Sequence, residues 1–390
     1  MAEPASHAAV RVIDFDEIVD RRFTSALKWE KYAGRDIIPM WVADMDFRSA
    51  PAIVEALAER VQHGVFGYTD TPPALTQTIV EHLQAAYGWH IESDWLMWLP
   101  GLVSGINLVC RAIGEDGDDV VTAVPVYHPF LTGPTNQGRT VTRVPMRLHR
   151  MRWQWDFERL EASLTARTRL LLLCNPHNPV GRVFTREELS ELARIAQRHD
   201  LIVASDEIHC GLVLDSDKRH IPFATLDAQT SERTITLMAA SKTFNLPGLG
   251  CAFAVVSNAQ LRARMLRATA GIVPRVNAMG YAATLAAYRD SAQWHAQLLD
   301  YLRINRDLVM ERIGRMPGLS ITPIEATYLA WIGVGPMDGS DPQSFFEAAG
   351  VGLYDGRVFG GEGFVRLNFA CPRSVLTKAL DRLESALNTV

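Results

Sequence analysis

The sequence predicts an α/β protein: a large domain with a mostly parallel mixed sheet flanked by helices, followed by a smaller α+β domain. Three observations carry this. Five short apolar runs (Asp119–Val124, Arg169–Cys174, Leu201–Ser205, Arg233–Met238 and Cys251–Val256) have the length and unbroken hydrophobicity of strands covered on both faces. Helical patterns alternate with these runs, as in a sheet with crossover helices. After residue 290 the alternation gives way to a long amphipathic stretch and short β-like pieces.

In chain order, Pro51–Gln62, Ala74–Tyr87 and Ser104–Ile113 carry apolar residues at helical spacing, and the strand Asp119–Val124 follows them. Arg169–Cys174 runs into Asn175-Pro-His-Asn-Pro-Val-Gly181, whose two Asn-Pro steps force extended or turn geometry, because the residue before proline avoids the helical region. Thr185–His199 opens on a capping box, Thr185-Arg-Glu-Glu188, with Leu189, Leu192, Ala193 and Ala196 on one face. The strands Leu201–Ser205, Arg233–Met238 and Cys251–Val256 come next, then helices at Ala259–Ala270 and Val276–Arg289. The last part holds Ala292–Met316, which ends at Pro317-Gly318, β-like pieces at Tyr328–Val334 and Phe364–Phe369, and a closing helix, Arg373–Leu387. The expected division is an N-terminal segment at 1–50, a large domain at 51–290 and a small domain at 291–390.

Composition excludes several classes. The 390 residues carry 39 basic and 44 acidic side chains, a formal charge of −5, which argues against a protein that coats nucleic acid or anionic membrane. No apolar run approaches the roughly 20 residues of a membrane span. The stretch from Met1 to Val12 lacks the charged start and apolar run of a signal peptide, so a cytoplasmic protein is expected. The five cysteines are scattered and never spaced as CxxC, which suits a reducing compartment and offers no metal site. Only five lysines occur (Lys28, Lys31, Lys218, Lys242 and Lys378), so amine chemistry has few candidates. Lys28 and Lys31 sit in a charged N-terminal stretch, Lys218 in a polar loop and Lys378 on the last helix.

Lys242, in Ala240-Ser-Lys-Thr-Phe-Asn-Leu-Pro-Gly248, follows the strand Arg233–Met238. A loop lysine is ordinarily a solvated surface amine. At the carboxyl end of a buried strand, however, it stands in the crevice where α/β proteins bind ligands, and desolvation there makes an amine a nucleophile or base. The asparagines of the 175–181 loop are either plain turn residues or amides offered to a ligand. In Ser205-Asp-Glu-Ile-His209 a carboxylate is either solvated or available to hold a pyridinium N–H, and a histidine there is more often packed than catalytic. Pro100-Gly-Leu-Val-Ser-Gly105 opens an apolar helix whose first amides suit a phosphate, a weak signal by itself.

The order of these motifs, NPxNPxG, SDE, SK and then Arg366-Leu-Asn, resembles the fold type I pyridoxal-phosphate enzymes of aminotransferase class I/II over nearly the whole chain. The resemblance implies that Lys242 carries pyridoxal 5′-phosphate and shuttles the proton at the substrate Cα. It implies that Asp206 keeps the pyridine nitrogen protonated, Asn178 donates to the ring hydroxyl oxygen, and Tyr127 stacks on the ring. The phosphate would rest on Gly101, Leu102 and Val103 and near Ser241, and Arg366 would grip the substrate carboxylate with its planar fork.

Pro39-Met-Trp-Val-Ala-Asp-Met-Asp-Phe47, Phe66-Gly-Tyr-Thr69, SDEIH, Ala326-Thr-Tyr-Leu-Ala-Trp331 and Arg366-Leu-Asn-Phe-Ala-Cys-Pro372 resemble the MalY/PatB group of cystathionine β-lyases. That implies a homodimer in which Tyr68 reaches the partner's cofactor, and an Ala43-Asp44 segment beside the amino-acid substrate. It also implies an N-terminal segment associated with the small domain and the substrate entrance. Two departures from the aminotransferase pattern agree with the lyase branch: Gly250 stands where an arginine usually binds the phosphate, and His209 where a tyrosine usually meets the ring hydroxyl. The implied reaction is β-elimination, in which the freed lysine amine takes the Cα proton, a thiolate leaves Cβ, and pyruvate and ammonia result. An aminotransferase or another reaction of this cofactor, and a regulatory binding protein that keeps the fold, are the alternatives. The acid and base of Tyr354-Asp-Gly-Arg357 are expected to face solvent.

Overall fold

The computed structural model describes residues 12–335 and 341–388; the stretch read for a signal peptide lies, up to residue 11, outside them. Seven strands form the main sheet: β1 (Leu96–Leu99), β2 (Asp119–Val124), β3 (Thr140–Pro145), β4 (Thr168–Cys174), β5 (Ile202–Asp206), β6 (Thr234–Met238) and β7 (Ala252–Val255). Their order is β1-β7-β6-β5-β4-β2-β3, and β2 to β6 are mutually parallel, while β7 runs antiparallel to both of its neighbours. Every residue of β2 and β6 is buried, as their continuous apolar composition demands.

The two sheet edges did not announce themselves in the sequence. β3 buries only one of its six residues, and β1 is only four residues with every second one buried. Neither makes an apolar run, because an edge strand is covered on fewer sides.

The helices that cover the sheet match their sequence patterns to within about two residues at each end, the usual latitude for helix termini. They are α1 (Pro51–His63), α2 (Pro73–Tyr87), α3 (Leu102–Ala112), α4 (Arg186–Arg198), α5 (Ala259–Thr269) and α6 (Ala278–Asp290). The capping box of α4 forms in full: Glu188 N–H donates to Thr185 Oγ1 at 3.3 Å and Thr185 N–H to Glu188 Oε2 at 2.8 Å.

Beyond them, α7 (Ala292–Arg315) and α8 (Arg373–Leu387) back a four-stranded antiparallel sheet of β8 (Leu319–Ile321), β9 (Leu329–Val334), β10 (Tyr354–Asp355) and β11 (Phe364–Asn368), in the order β8-β9-β11-β10. The chain from residue 12 to 50 has almost no regular structure. Phe15, Met40, Met45 and Phe47 nonetheless bury in the same core as Trp294, Leu298, Leu329 and Phe369, which ties this segment to the C-terminal part. Ile38–Pro39 also pairs, in parallel, with Val351–Gly352.

Candidate active site

The loops after β2, β4, β5 and β6 leave the carboxyl edge of the sheet side by side, and they carry Tyr127, Asn178, His209 and Lys242. This is the crevice expected for ligands in an open α/β sheet. These residues line one cavity of about 590 Å³ with Gly101, Leu102 and Val103 at the start of α3, Asp206 at the end of β5, and Ser241, Ala43 and Arg366. Trp41, His128 and Tyr354 complete its walls.

Lys242 Nζ donates to the Ala43 carbonyl at 2.6 Å. Burial and then the charge of Arg366 lower its amine to about 8, against the pull of Asp44 and Asp206. Asp206 is buried and its carboxyl is pushed up to about 7, chiefly by burial; Ile208 N–H, which donates to it at 3.1 Å, works the other way. Arg366, 2% exposed, donates from Nη1 to Asn178 Oδ1 at 3.0 Å and from Nη2 to the Trp41 carbonyl at 2.8 Å. Its guanidinium lies over the rings of Phe359 and Tyr354, at 4.6 and 5.0 Å from their centroids, and its Nε has no partner among the described residues. His209 is buried, its ring edge-on to Tyr328, its pKa lowered to about 3 by burial and its Nδ1 unpartnered.

Pyridoxal phosphate fits this donor set. Helix α3 starts at Gly101 without a side-chain cap, so its first amides stay open for a phosphate. Asp206 is a buried carboxylate in want of a cation, and the unpartnered His209 Nδ1 is a buried polar atom that a bound group would satisfy. Gly250 also lines the cavity. It sits at φ +56°, and a Cβ there would stand 3.0 Å from the Pro100 carbonyl, so the backbone itself disfavours the arginine common at this place.

Tyr68 and Asp44 are not among the residues that line the cavity, and Lys28 is placed otherwise than its surroundings in the sequence suggest. Tyr68 lies outside the cavity, fully exposed, on a loop with the exposed Val65 and Phe66. Asp44 borders the site, but its carboxylate is gripped by Arg21, with Nη2 2.9 Å from Oδ2. Lys28 is not a surface charge of a polar stretch. It is 1% exposed and ion-paired to Asp46 at 2.7 Å, on the one-turn helix Leu27–Glu30 of an N-terminal segment that packs into the same core as the C-terminal part. Arg357 faces solvent, as expected, and pairs with the half-buried Asp355. Sequence reasoning missed Trp41, His128 and Tyr328 as site residues, although Trp41 and Tyr328 lie inside the quoted motifs and His128 adjoins Tyr127.

A family model described as aminotransferase class I and II matches residues 35–383. The chain is 34% identical to cystathionine beta-lyase PatB of Bacillus subtilis (strain 168), over 96% of this chain and 100% of the relative. It is 32% identical to protein MalY of Escherichia coli (strain K12), over 97% and 100% respectively. Among solved structures, it resembles that of OvoB at a TM-score of 0.95 and 47% identity, covering 97% of this chain and 100% of that one. It also resembles cystalysin from Treponema denticola, which contains pyridoxal 5′-phosphate, at 0.92 and 30% with the same coverage. With this sheet, this cavity and relatives matched from end to end, the chain belongs to the aminotransferase class I and II family.

Proposed function

We propose that this protein is a pyridoxal-phosphate-dependent carbon–sulfur β-lyase that acts on cystathionine or related S-substituted cysteines. The observation that carries the reading is the convergence of one low-pKa amine, one buried carboxylate and one buried guanidinium on a single cavity. The names of the end-to-end relatives support the choice of reaction. When bound, the cofactor supplies an electron sink for charge at the substrate Cα. Asp206, a buried carboxylate, would hold the cofactor through its pyridine nitrogen and keep that nitrogen protonated. Arg366, oriented by Asn178 and Trp41, keeps donors free for the α-carboxylate and fixes the substrate's Cα before Lys242. The neutral amine of Lys242 takes the Cα proton, and the sulfur leaves Cβ as a thiolate. The released enamine hydrolyses to pyruvate and ammonia. Tyr127, Asn178 and His209 would hold the cofactor ring, and Gly101, Leu102, Val103 and Ser241 would receive its phosphate.

The division into an N-terminal segment, a large domain and a small domain belongs to this proposal, as does a cytoplasmic location, with all five cysteines free. So does a homodimer in which Tyr68 completes the partner's site; the exposed Val65, Phe66 and Tyr68 support it. Gly250, whose φ and closeness to the Pro100 carbonyl disfavour an arginine, agrees with the lyase branch, although it bears on cofactor binding and not on the chemical step.

The test is incubation of the purified protein and cofactor with cystathionine or S-alkyl cysteines, without a keto acid. Pyruvate and thiol are expected, and Lys242→Ala should abolish both while the fold persists. Amino transfer only after a keto acid is added, or turnover by Lys242→Ala, would refute the reading.

A further inference from the structure

Five consecutive carbonyls above the cavity, from Trp41 to Met45, each accept a hydrogen bond from a side chain of another element. Arg366 donates to Trp41 at 2.8 Å, Asn368 to Val42 at 2.7 Å, Lys242 to Ala43 at 2.6 Å, Asn368 and Lys28 to Asp44 at 2.6 and 3.2 Å, and Arg21 and Asn245 to Met45 at 3.2 and 3.1 Å. Tyr328 Oη shares the Ala43 oxygen at 3.0 Å. The amine and the guanidinium that the reaction needs are therefore aimed by one strip of backbone.

The strip itself belongs to no strand or helix, although backbone bonds flank it on either side, Met40 N–H donating to the Gly352 carbonyl at 2.8 Å and Asp46 N–H to the Ala370 carbonyl at 3.0 Å. Its anchor is a buried charge cluster. Lys28 Nζ and Arg21 Nη1 both lie 2.7 Å from Asp46 carboxylate oxygens, which also accept from Trp29 Nε1 at 3.0 Å, and Arg21 grips Asp44 as well. A buried lysine that lines no part of the cavity is costly unless paired, and the partners of its amine are the Asp44 carbonyl and the carboxylates of Asp44 and Asp46.

We infer that Lys28, with Asp46 and Arg21, is a positioning residue that sets the Ala43 carbonyl as the resting acceptor of the Lys242 amine. This rests on the reading of Lys242 as the reactive amine. The Ala43 carbonyl sets the direction of the Lys242 amine, and the cluster keeps Ala43 in place.

The test compares Lys28→Met with the unaltered full chain. Arg21→Gln serves as a second, partly exposed variant that removes the donor to Asp44, Asp46 and Met45 if Lys28→Met does not fold. The expected result is a kcat for β-elimination at least tenfold lower, with cofactor affinity, followed by visible absorbance, within about threefold. A second reading uses no turnover. Attachment of pyridoxal phosphate to the ligand-free chain, followed by stopped-flow absorbance, should slow at least tenfold. Unchanged kcat and attachment rate in the folded variant would overturn the inference. So would a loss of kcat explained wholly by loss of bound cofactor. If the unaltered protein cleaves no S-substituted cysteine, the lyase reading has failed, and the attachment rate alone decides the role of Lys28.

Discussion

At the scale of single residues, the amine of Lys242 is the most consequential group. Burial and the neighbouring Arg366 lower its pKa to about 8. Only the neutral amine attacks an aldehyde, and it is the form present above the pKa. The rate of cofactor attachment should therefore rise about tenfold per pH unit below 8 and level off above it, checked by absorbance over a pH series. A rate still climbing tenfold per unit at pH 10 would mean an ordinary, solvated lysine. Lys242 was legible in the sequence because a scarce residue type followed a buried strand. Lys28 was not, since a charged, turn-rich stretch has no period that tells which of its charges fold inward.

At the scale of elements, the loop after β4 is locked to the strip ahead of β9. Glu325 accepts from Arg182 Nε at 3.1 Å and from Val183 N–H at 2.8 Å, and pairs with Arg152 at 3.2 Å. Glu325 and Ala326 N–H both donate to the Gly181 carbonyl at 2.9 Å, and Gly181, at φ +70°, comes so near that a Cβ there would meet the Ala326 oxygen at 3.1 Å. The element that carries Asn178 is thus registered against the small sheet that carries Arg366. Glu325→Gln leaves the fully buried Arg182 short of a counter-charge and should lower stability by about 3 kcal/mol, read from denaturant midpoints. A change below about 0.5 kcal/mol would show that Glu188, 2.7 Å from Arg182, suffices alone. The NPxNPxG motif made the turn legible; the acid that clamps it lies 143 residues further on and left no local trace.

At the scale of the whole molecule, the exposed Val61, Val65, Phe66 and Tyr68 form an apolar edge that a single chain leaves in water. If this edge is the subunit contact, Phe66→Asp should convert a dimer to a folded monomer, seen by sedimentation velocity, and the monomer should lose at least tenfold in kcat/KM because Tyr68 no longer reaches a partner. A monomer with full activity would exclude a shared site.

The sequence by itself determined the strand–helix alternation, the capping box of α4, and the short motifs at the strand ends that hold Lys242, Asp206 and Asn178. Those features are local: periodicity, turn chemistry and residue type are all written within a dozen positions. Tertiary structure alone decided that residues 41–43 line the cavity, that Lys28 is buried and donates to the Asp44 carbonyl just after them, that Gly250 occupies a left-handed turn against Pro100, and that Glu325 grips Arg182. Each of these depends on contacts between segments far apart in the chain, where burial and charge pairing are settled by what the fold brings opposite, and no local pattern encodes that.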